Sequence, residues 1–206
     1  PYYKPDQNGH VWNNDYFGGD LDGIRSKLPY LKDLGVTCIY LNPIFESHEN
    51  HRYNTANYRK VDPLLGTNED FRTLCEEAET YGISVILDGV FSHTGADSIY
   101  FNKFGRYDNL GAYQSEQSPY YSWYHFWGNK EYESWWGIDT LPNVDENNPS
   151  YTKYICGEDG VLDYWMSLGA AGYRLDVADE LPDEFLDHLR TCVKKFGEEK
   201  IVIGEV

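Results

Sequence analysis

Positive charge is scarce in this sequence: 17 Lys and Arg stand against 34 Asp and Glu in 206 residues, a formal net charge of −17 at pH 7. Nowhere do more than two basic residues adjoin. Nucleic acid and anionic membrane surfaces both need a basic footprint, so neither is expected as a partner, and a neutral or cationic one remains. Long apolar runs are missing as well, none approaching the roughly 20 residues that span a bilayer, and no signal peptide is visible. Cysteine is limited to Cys38, Cys75, Cys156 and Cys192, without CxxC spacing or the density of a disulfide scaffold. They are expected to be free thiols. Free thiols leave cytoplasm and secretion both open, with a lean toward the cytoplasm. Pro1 opens the chain and Val206 follows directly on a strand-like run, so the sequence reads as part of a longer protein.

What the sequence does have is aromatic surface. Phe, Trp and Tyr make up 17% of residues, and many sit in polar surroundings such as YYSWYHFWGNKEYESWW, residues 120 to 136. Flat rings with a polar edge suit the faces of sugars, and they also suit a packed loop subdomain.

Leu21, Ile24, Leu28, Leu31 and Leu34 recur at threes and fours and predict a helix over 20–34, stopped by Gly35. VTCIYLNPI (36–44) reads as a strand buried on both faces. A second helix over 68–81, capped near Thr67, leads into the buried strand ISVILDGVF (83–91). From Ser92 to Pro149 the pattern breaks into a polar, aromatic stretch too long for an ordinary loop and too aromatic for disorder. A helix over 150–168, the strand AGYRLDVA, a helix over 182–196 and the strand KIVIGEV complete the chain. Short apolar strands alternating with amphipathic helices imply an α/β fold with a parallel sheet and right-handed crossovers, open or closed into a barrel.

Three of these strands end in polar residues: Asp88, then Arg174 and Asp176, then Glu205. The carboxyl ends of parallel strands form the active face of such folds, which gathers these residues into one site. Arg174 and Asp176, two apart on a strand, point to the same side. With Tyr173, Leu175 and Val177 turned outward against helices, that side is the barrel mouth. An arginine there holds the neighbouring carboxylate ionised and oriented.

These residues resemble the α-amylase superfamily of retaining glycoside hydrolases and transglycosylases. DGVFSH (88–93), GYRLDVADE (172–180) and IGEV (203–206) look like its successive signatures, and LPNVDENNP (141–149) like the segment closing its loop subdomain. GGDLDGI (18–24) and HRYNTANYRKVDPLLGT (51–67) are similar to its first helix entry and the loop after its second barrel strand. The resemblance implies a partial TIM (β/α)8 barrel, about strands two to five, from residues 1–91 and 150–206. Residues 92–149 are then a loop subdomain inserted after the third barrel strand. The VADE motif and the short LPNVDENNP segment favour the neopullulanase, cyclomaltodextrinase and amylopullulanase branch.

The resemblance assigns Asp176 as nucleophile and Glu205 as general acid/base. Retaining chemistry sets two such carboxyl groups about 5 to 5.5 Å apart, the acid having a raised pKa. By the same resemblance Arg174 orients the nucleophile and His93 bonds to the sugar in the cleavage subsite. Tyr53 stacks under that sugar, and Asp88 organises the site from below. Asp179 and Glu180 face the leaving-group side and help choose between linkages and acceptors. The implied substrate is an α-glucan, cut at α-1,4 and also α-1,6 bonds. The alternatives are a transglycosylase or isomerase, or a non-catalytic binding relative. The family's third carboxylate falls beyond Val206, so the 206 residues alone are expected to be inactive. For the full-length parent the resemblance leaves a homodimer open, formed through a further N-terminal domain. Ser92 stands where many members place a calcium-binding Asn. Gly18 and Asp20 match two ligands of a second Ca²⁺ site whose other oxygens are expected upstream of Pro1, and they fit equally well as the turn and cap before the first helix.

Overall fold

The computed structural model describes residues 16–206; residues 1–15, the start of the segment assigned to the barrel, lie outside the described residues. Helices α1 (Leu21–Ser26) and α2 (Leu28–Asp33) precede strand β1 (Cys38–Tyr40) and a hairpin of β2 (Phe45–Ser47) and β3 (Thr55–Val61). Helix α3 (Asn68–Thr80) and β4 (Ser84–Gly89) follow, then a small hairpin of β5 (Phe126–Trp127) and β6 (Glu131–Tyr132). The chain continues through α4 (Pro149–Cys156), α5 (Val161–Ser167), β7 (Gly172–Leu175), α6 (Asp183–Lys194) and β8 (Ile201–Gly204). β1, β4, β7 and β8 form one parallel sheet in that order, the arc of a (β/α) barrel. Crossover helices bury Phe71, Leu74, Leu162, Trp165, Phe185 and Leu189 in one core with the sheet.

The second helix forms as its sequence predicts. Thr67 accepts from the Asp70 N–H, and the Asp70 carboxylate accepts from the Thr67 N–H at 2.8 Å, a reciprocal cap on two otherwise unpaired donors. The helix expected over 20–34 is instead two, because Pro29 has no N–H for the Arg25 carbonyl and its ring crowds that oxygen. The helix expected over 150–168 likewise divides at Gly157–Gly160, where Gly157 stands so close to Lys153 that a Cβ would lie 2.3 Å from its carbonyl oxygen. Nor is β1 buried on both faces: Cys38 is exposed and Tyr40 is 40% exposed, since β1 is the edge of the described sheet. All four cysteines are free thiols. Among the described residues no helix is long and apolar enough to cross a membrane.

Residues 92–148 carry little regular structure, yet they are well packed. Phe101 packs edge-on against Tyr124 and Tyr132 and stacks on Phe126, while Tyr100 and Trp123 pack against Tyr58 and Tyr151, all within one core. Buried tyrosines there satisfy their hydroxyls on backbone, Tyr58 donating to the Val90 carbonyl at 2.6 Å and Tyr151 to that of Phe91 at 2.8 Å. This anchors the segment leaving β4, and with it the loop that follows Asp88. On the far side of the sheet's centre, β7 and β8 approach closely because position 172 has no side chain: φ is +146° and a Cβ would lie 1.9 Å from the Ile201 carbonyl oxygen.

Candidate active site

Parallel register places Asp88 of β4 directly beside Arg174 of β7, and β8 delivers Glu205 one residue past its end. The Arg174 guanidinium is the hub. Its Nη1 donates to Asp88 Oδ1 at 3.0 Å, to Asp88 Oδ2 at 3.1 Å and to Asp176 Oδ1 at 2.9 Å, while Nη2 lies 3.4 Å from Glu205 Oε2. One fork thus holds three carboxylates from the ends of adjacent strands, which only a planar, multiply donating cation can do.

Asp88 is 2% exposed and accepts also from the hydroxyls of Tyr40 and, at 3.2 Å, Tyr53. Burial raises its pKa, against the pull of Tyr40 and Arg174. Tyr40, read from the sequence only as part of an apolar strand, also lies under the guanidinium, 5.7 Å from ring centre to Cζ. Its position near the carboxyl end of β1 was the available signal.

Asp176 leaves the strand with its N–H donating to the Gly89 carbonyl. The next residue, Val177, was expected to continue the strand and pack outward. It adopts φ +44°, ψ +49°, a left-handed conformation that a β-branched residue avoids. The turn sends the chain across Glu205: the Val177 N–H donates to Glu205 Oε2 at 3.1 Å and the Ala178 N–H to the Glu205 carbonyl at 2.8 Å. Strain at Val177 therefore brings Asp176 and Glu205 to one place. Burial pushes the Asp176 pKa up to about 6, the Asp88 and Glu205 charges add to the rise, and Arg174 opposes it. The expected lowering by Arg174 is outweighed, because the same burial that shapes the site strips water from the carboxylate.

His93 is 2% exposed, and burial lowers its pKa to about 4, so the ring is neutral. Its Nε2 faces the Tyr53 carbonyl at 3.0 Å and its Nδ1 the Ser92 hydroxyl at 2.9 Å, which fixes the proton on Nε2. Both nitrogens are engaged within the protein. A direct bond to sugar requires exchange of the Tyr53 carbonyl for a sugar hydroxyl. Asp179 and Glu180 are on the turn after Asp176, and both oxygens of Glu180 are taken by indoles: Trp135 Nε1 at 2.8 Å and Trp136 Nε1 at 3.0 Å. That pairing joins residues 44 and 45 positions apart and had no sequence signal.

Gly18, with φ +79°, and Asp20 form the turn and cap before α1, the Asp20 carboxylate accepting from the Gly23 N–H at 2.7 Å. Ser92, which stands where the resemblance places a calcium-binding Asn and is a poorer calcium ligand, shares a hydrogen bond with His93 Nδ1. Among the described residues no three His, Cys, Asp or Glu are grouped to hold a metal.

The model of the alpha-amylase catalytic domain matches residues 3–202. The chain belongs to the alpha-amylase family. An amylopullulanase of Thermoanaerobacterium saccharolyticum is 45% identical over 95% of this chain and 17% of its own length. Among solved structures, Ttha1563 of Thermus thermophilus is 40% identical with a TM-score of 0.83, over 100% of this chain and 44% of that one. The cyclic alpha-maltosyl-(1→6)-maltose hydrolase of Arthrobacter globiformis is 31% identical with a TM-score of 0.84, over 98% of this chain and 46% of that one. The chain thus spans less than half the length of each of these three proteins.

Proposed function

We propose that the protein containing this chain is a retaining glycoside hydrolase that cuts α-1,4 and α-1,6 glucosidic bonds of starch-like glucans and pullulan. The observation that carries this reading is the single guanidinium of Arg174 reaching Asp88, Asp176 and Glu205 at the carboxyl ends of three parallel strands. Membership in a family with an amylopullulanase and a cyclic maltosyl-maltose hydrolase supports the substrate class.

In the first step the Asp176 carboxylate attacks the anomeric carbon while the Glu205 carboxylic acid gives its proton to the glycosidic oxygen. The leaving sugar departs with that proton, and a glycosyl ester of Asp176 remains. In the second step the Glu205 carboxylate takes a proton from water, whose oxygen attacks the anomeric carbon and frees Asp176. Arg174 orients Asp176, and Asp88 fixes Arg174 from below. Asp88 also positions the hydroxyls of Tyr40 and Tyr53, and Tyr53 offers its ring to the sugar at the cleavage point. His93 keeps that ring in place through the Tyr53 carbonyl.

The test is product analysis of the full-length protein on maltohexaose and on pullulan, read by chromatography. Shorter maltooligosaccharides from the first, and panose, isopanose or maltotriose from the second, are expected. Two intact substrates at high enzyme concentration would sink the reading.

A further inference from the structure

ESWWG, residues 133 to 137, places a bulky residue where the backbone least favours one. Trp136 has φ +51° and is followed by Gly137 at φ +77°, so two consecutive residues are left-handed. Sterics penalise that conformation for a residue with a large side chain. The result is an indole 79% exposed to solvent. It is exposed but not loose. Trp136 stacks on Trp135 at 5.3 Å between centroids and 26° between planes, and Trp135 in turn lies 5.6 Å from the His93 ring. The two indole N–H groups converge on the two oxygens of one carboxylate, that of Glu180. The loop itself is tied down by the Trp135 N–H on the Leu141 carbonyl at 2.8 Å and by the bridges Ser134 to Pro142 and His93 to Asn143.

Glu180 belongs to the short turn, Ala178–Glu180, that hydrogen-bonds the backbone of Glu205 through Ala178. The indole pair therefore spans two fixed points, His93 on one side and the turn beside Glu205 on the other. An aromatic ring held at both ends with one face open matches the apolar face of a pyranose, whose hydroxyls stay at its edge and in water. Glu205 is the group that hands its proton to the leaving oxygen in the proposed mechanism. Through Glu180 the indole shelf is tied to the turn that bonds the Glu205 backbone.

We propose that Trp136 is the stacking platform for the glucose unit on the leaving-group side of the scissile bond, and that Glu180 is the positioning residue that sets its plane. This rests on the glycosidase reading above for the direction of the chain, whereas the platform itself rests on the loop geometry. Glu180 thus influences linkage and acceptor choice through the indoles and not by touching sugar. The same platform would receive an acceptor sugar in place of water, since the acceptor enters where the leaving sugar departed.

The experiment compares kcat/KM on maltohexaose with kcat/KM on maltosyl fluoride, whose leaving group is fluoride and reaches no platform. In the full-length protein, Trp136→Leu is expected to lower the ratio of the two values about tenfold, the scale of one stacked ring contact. Trp136→Tyr, which keeps a flat ring, is expected to restore most of it. Glu180→Ala should lower the ratio more than Glu180→Gln, which retains one acceptor oxygen, and both should weaken the exciton signal of the stacked indoles in circular dichroism. A ratio unchanged in Trp136→Leu, or a loss equal on both substrates, overturns the proposal while leaving the glycosidase reading intact. If the wild type cleaves neither substrate, the glycosidase reading has failed instead, and titration of tryptophan fluorescence with maltohexaose decides about the platform. A saturable change lost in Trp136→Leu keeps it, and no change overturns it.

Discussion

Asp176→Asn in the full-length protein is expected to lower glucan hydrolysis by about four orders of magnitude or more, the scale on which removing the nucleophile from a covalent mechanism acts. The amide keeps the volume of the carboxylate and can still accept from Arg174, so substrate binding should survive while kcat collapses. The same substitution is expected to raise thermal stability at pH 7. The carboxyl of Asp176 titrates at about 6 in the folded state because burial and the neighbouring charges of Asp88 and Glu205 outweigh Arg174, against about 3.9 when unfolded. A carboxyl raised in this way stabilises the fold fully below about pH 4, and that contribution is lost as pH rises through about 6. At pH 7 the wild type bears the cost of an ionised, half-desolvated carboxylate, and the asparagine variant does not. The difference in melting temperature should therefore grow from pH 4 to pH 6 and then level. A variant less stable than wild type at pH 7, or a difference independent of pH, would contradict the assignment of that carboxyl. A variant with near wild-type turnover would remove Asp176 from the mechanism altogether.

Arg174→Met should be the most damaging change for the fold. It leaves Asp88, whose side chain is fully buried, without its cation, and breaking a buried ion pair from one side costs about 3 to 5 kcal/mol. Tyr40 and Tyr53 still donate to Asp88, which keeps the loss toward the lower end of that range. Without the guanidinium the Asp88 and Asp176 pKa values move further up. Both then favour the folded state most at low pH, so the deficit should shrink on acidification and widen as pH rises. Urea unfolding of wild type and variant across pH measures it directly. Arg174→Lys separates charge from geometry, since an ammonium can face one or two of the three carboxylates but not all. Equal stability of wild type and Arg174→Met at pH 7 would mean that the carboxylates are held by other groups.

The architecture was legible because two periodicities alternate cleanly, and because Asp88, Arg174, Asp176 and Glu205 recur at the same end of successive strands. Strand direction then does the rest. The helix breaks were harder to read: the apolar spacing of Leu28 and Leu31 runs on past Pro29, since both pack on the core even where a backbone hydrogen bond is lost, and Leu34, which extends the spacing, is exposed. Burial at β1 was misjudged because an apolar run does not reveal which strand is at an edge. Tyr40 was marked only by its place near the carboxyl end of β1, and the Glu180–Trp135–Trp136 arrangement depends on long-range approach, which no local spacing encodes. The raised pKa of Asp176 has the same origin. A charge partner two residues away is visible in sequence, but the water excluded by the folded site is not.

Stereochemistry tests the central claim most directly. Proton NMR of the first turnovers of maltohexaose by the full-length protein records the anomeric configuration of the new reducing end before mutarotation. Two displacements, first by Asp176 and then by water, leave it α. An initial β signal would mean a single displacement by water, and the covalent role assigned to Asp176 would be wrong.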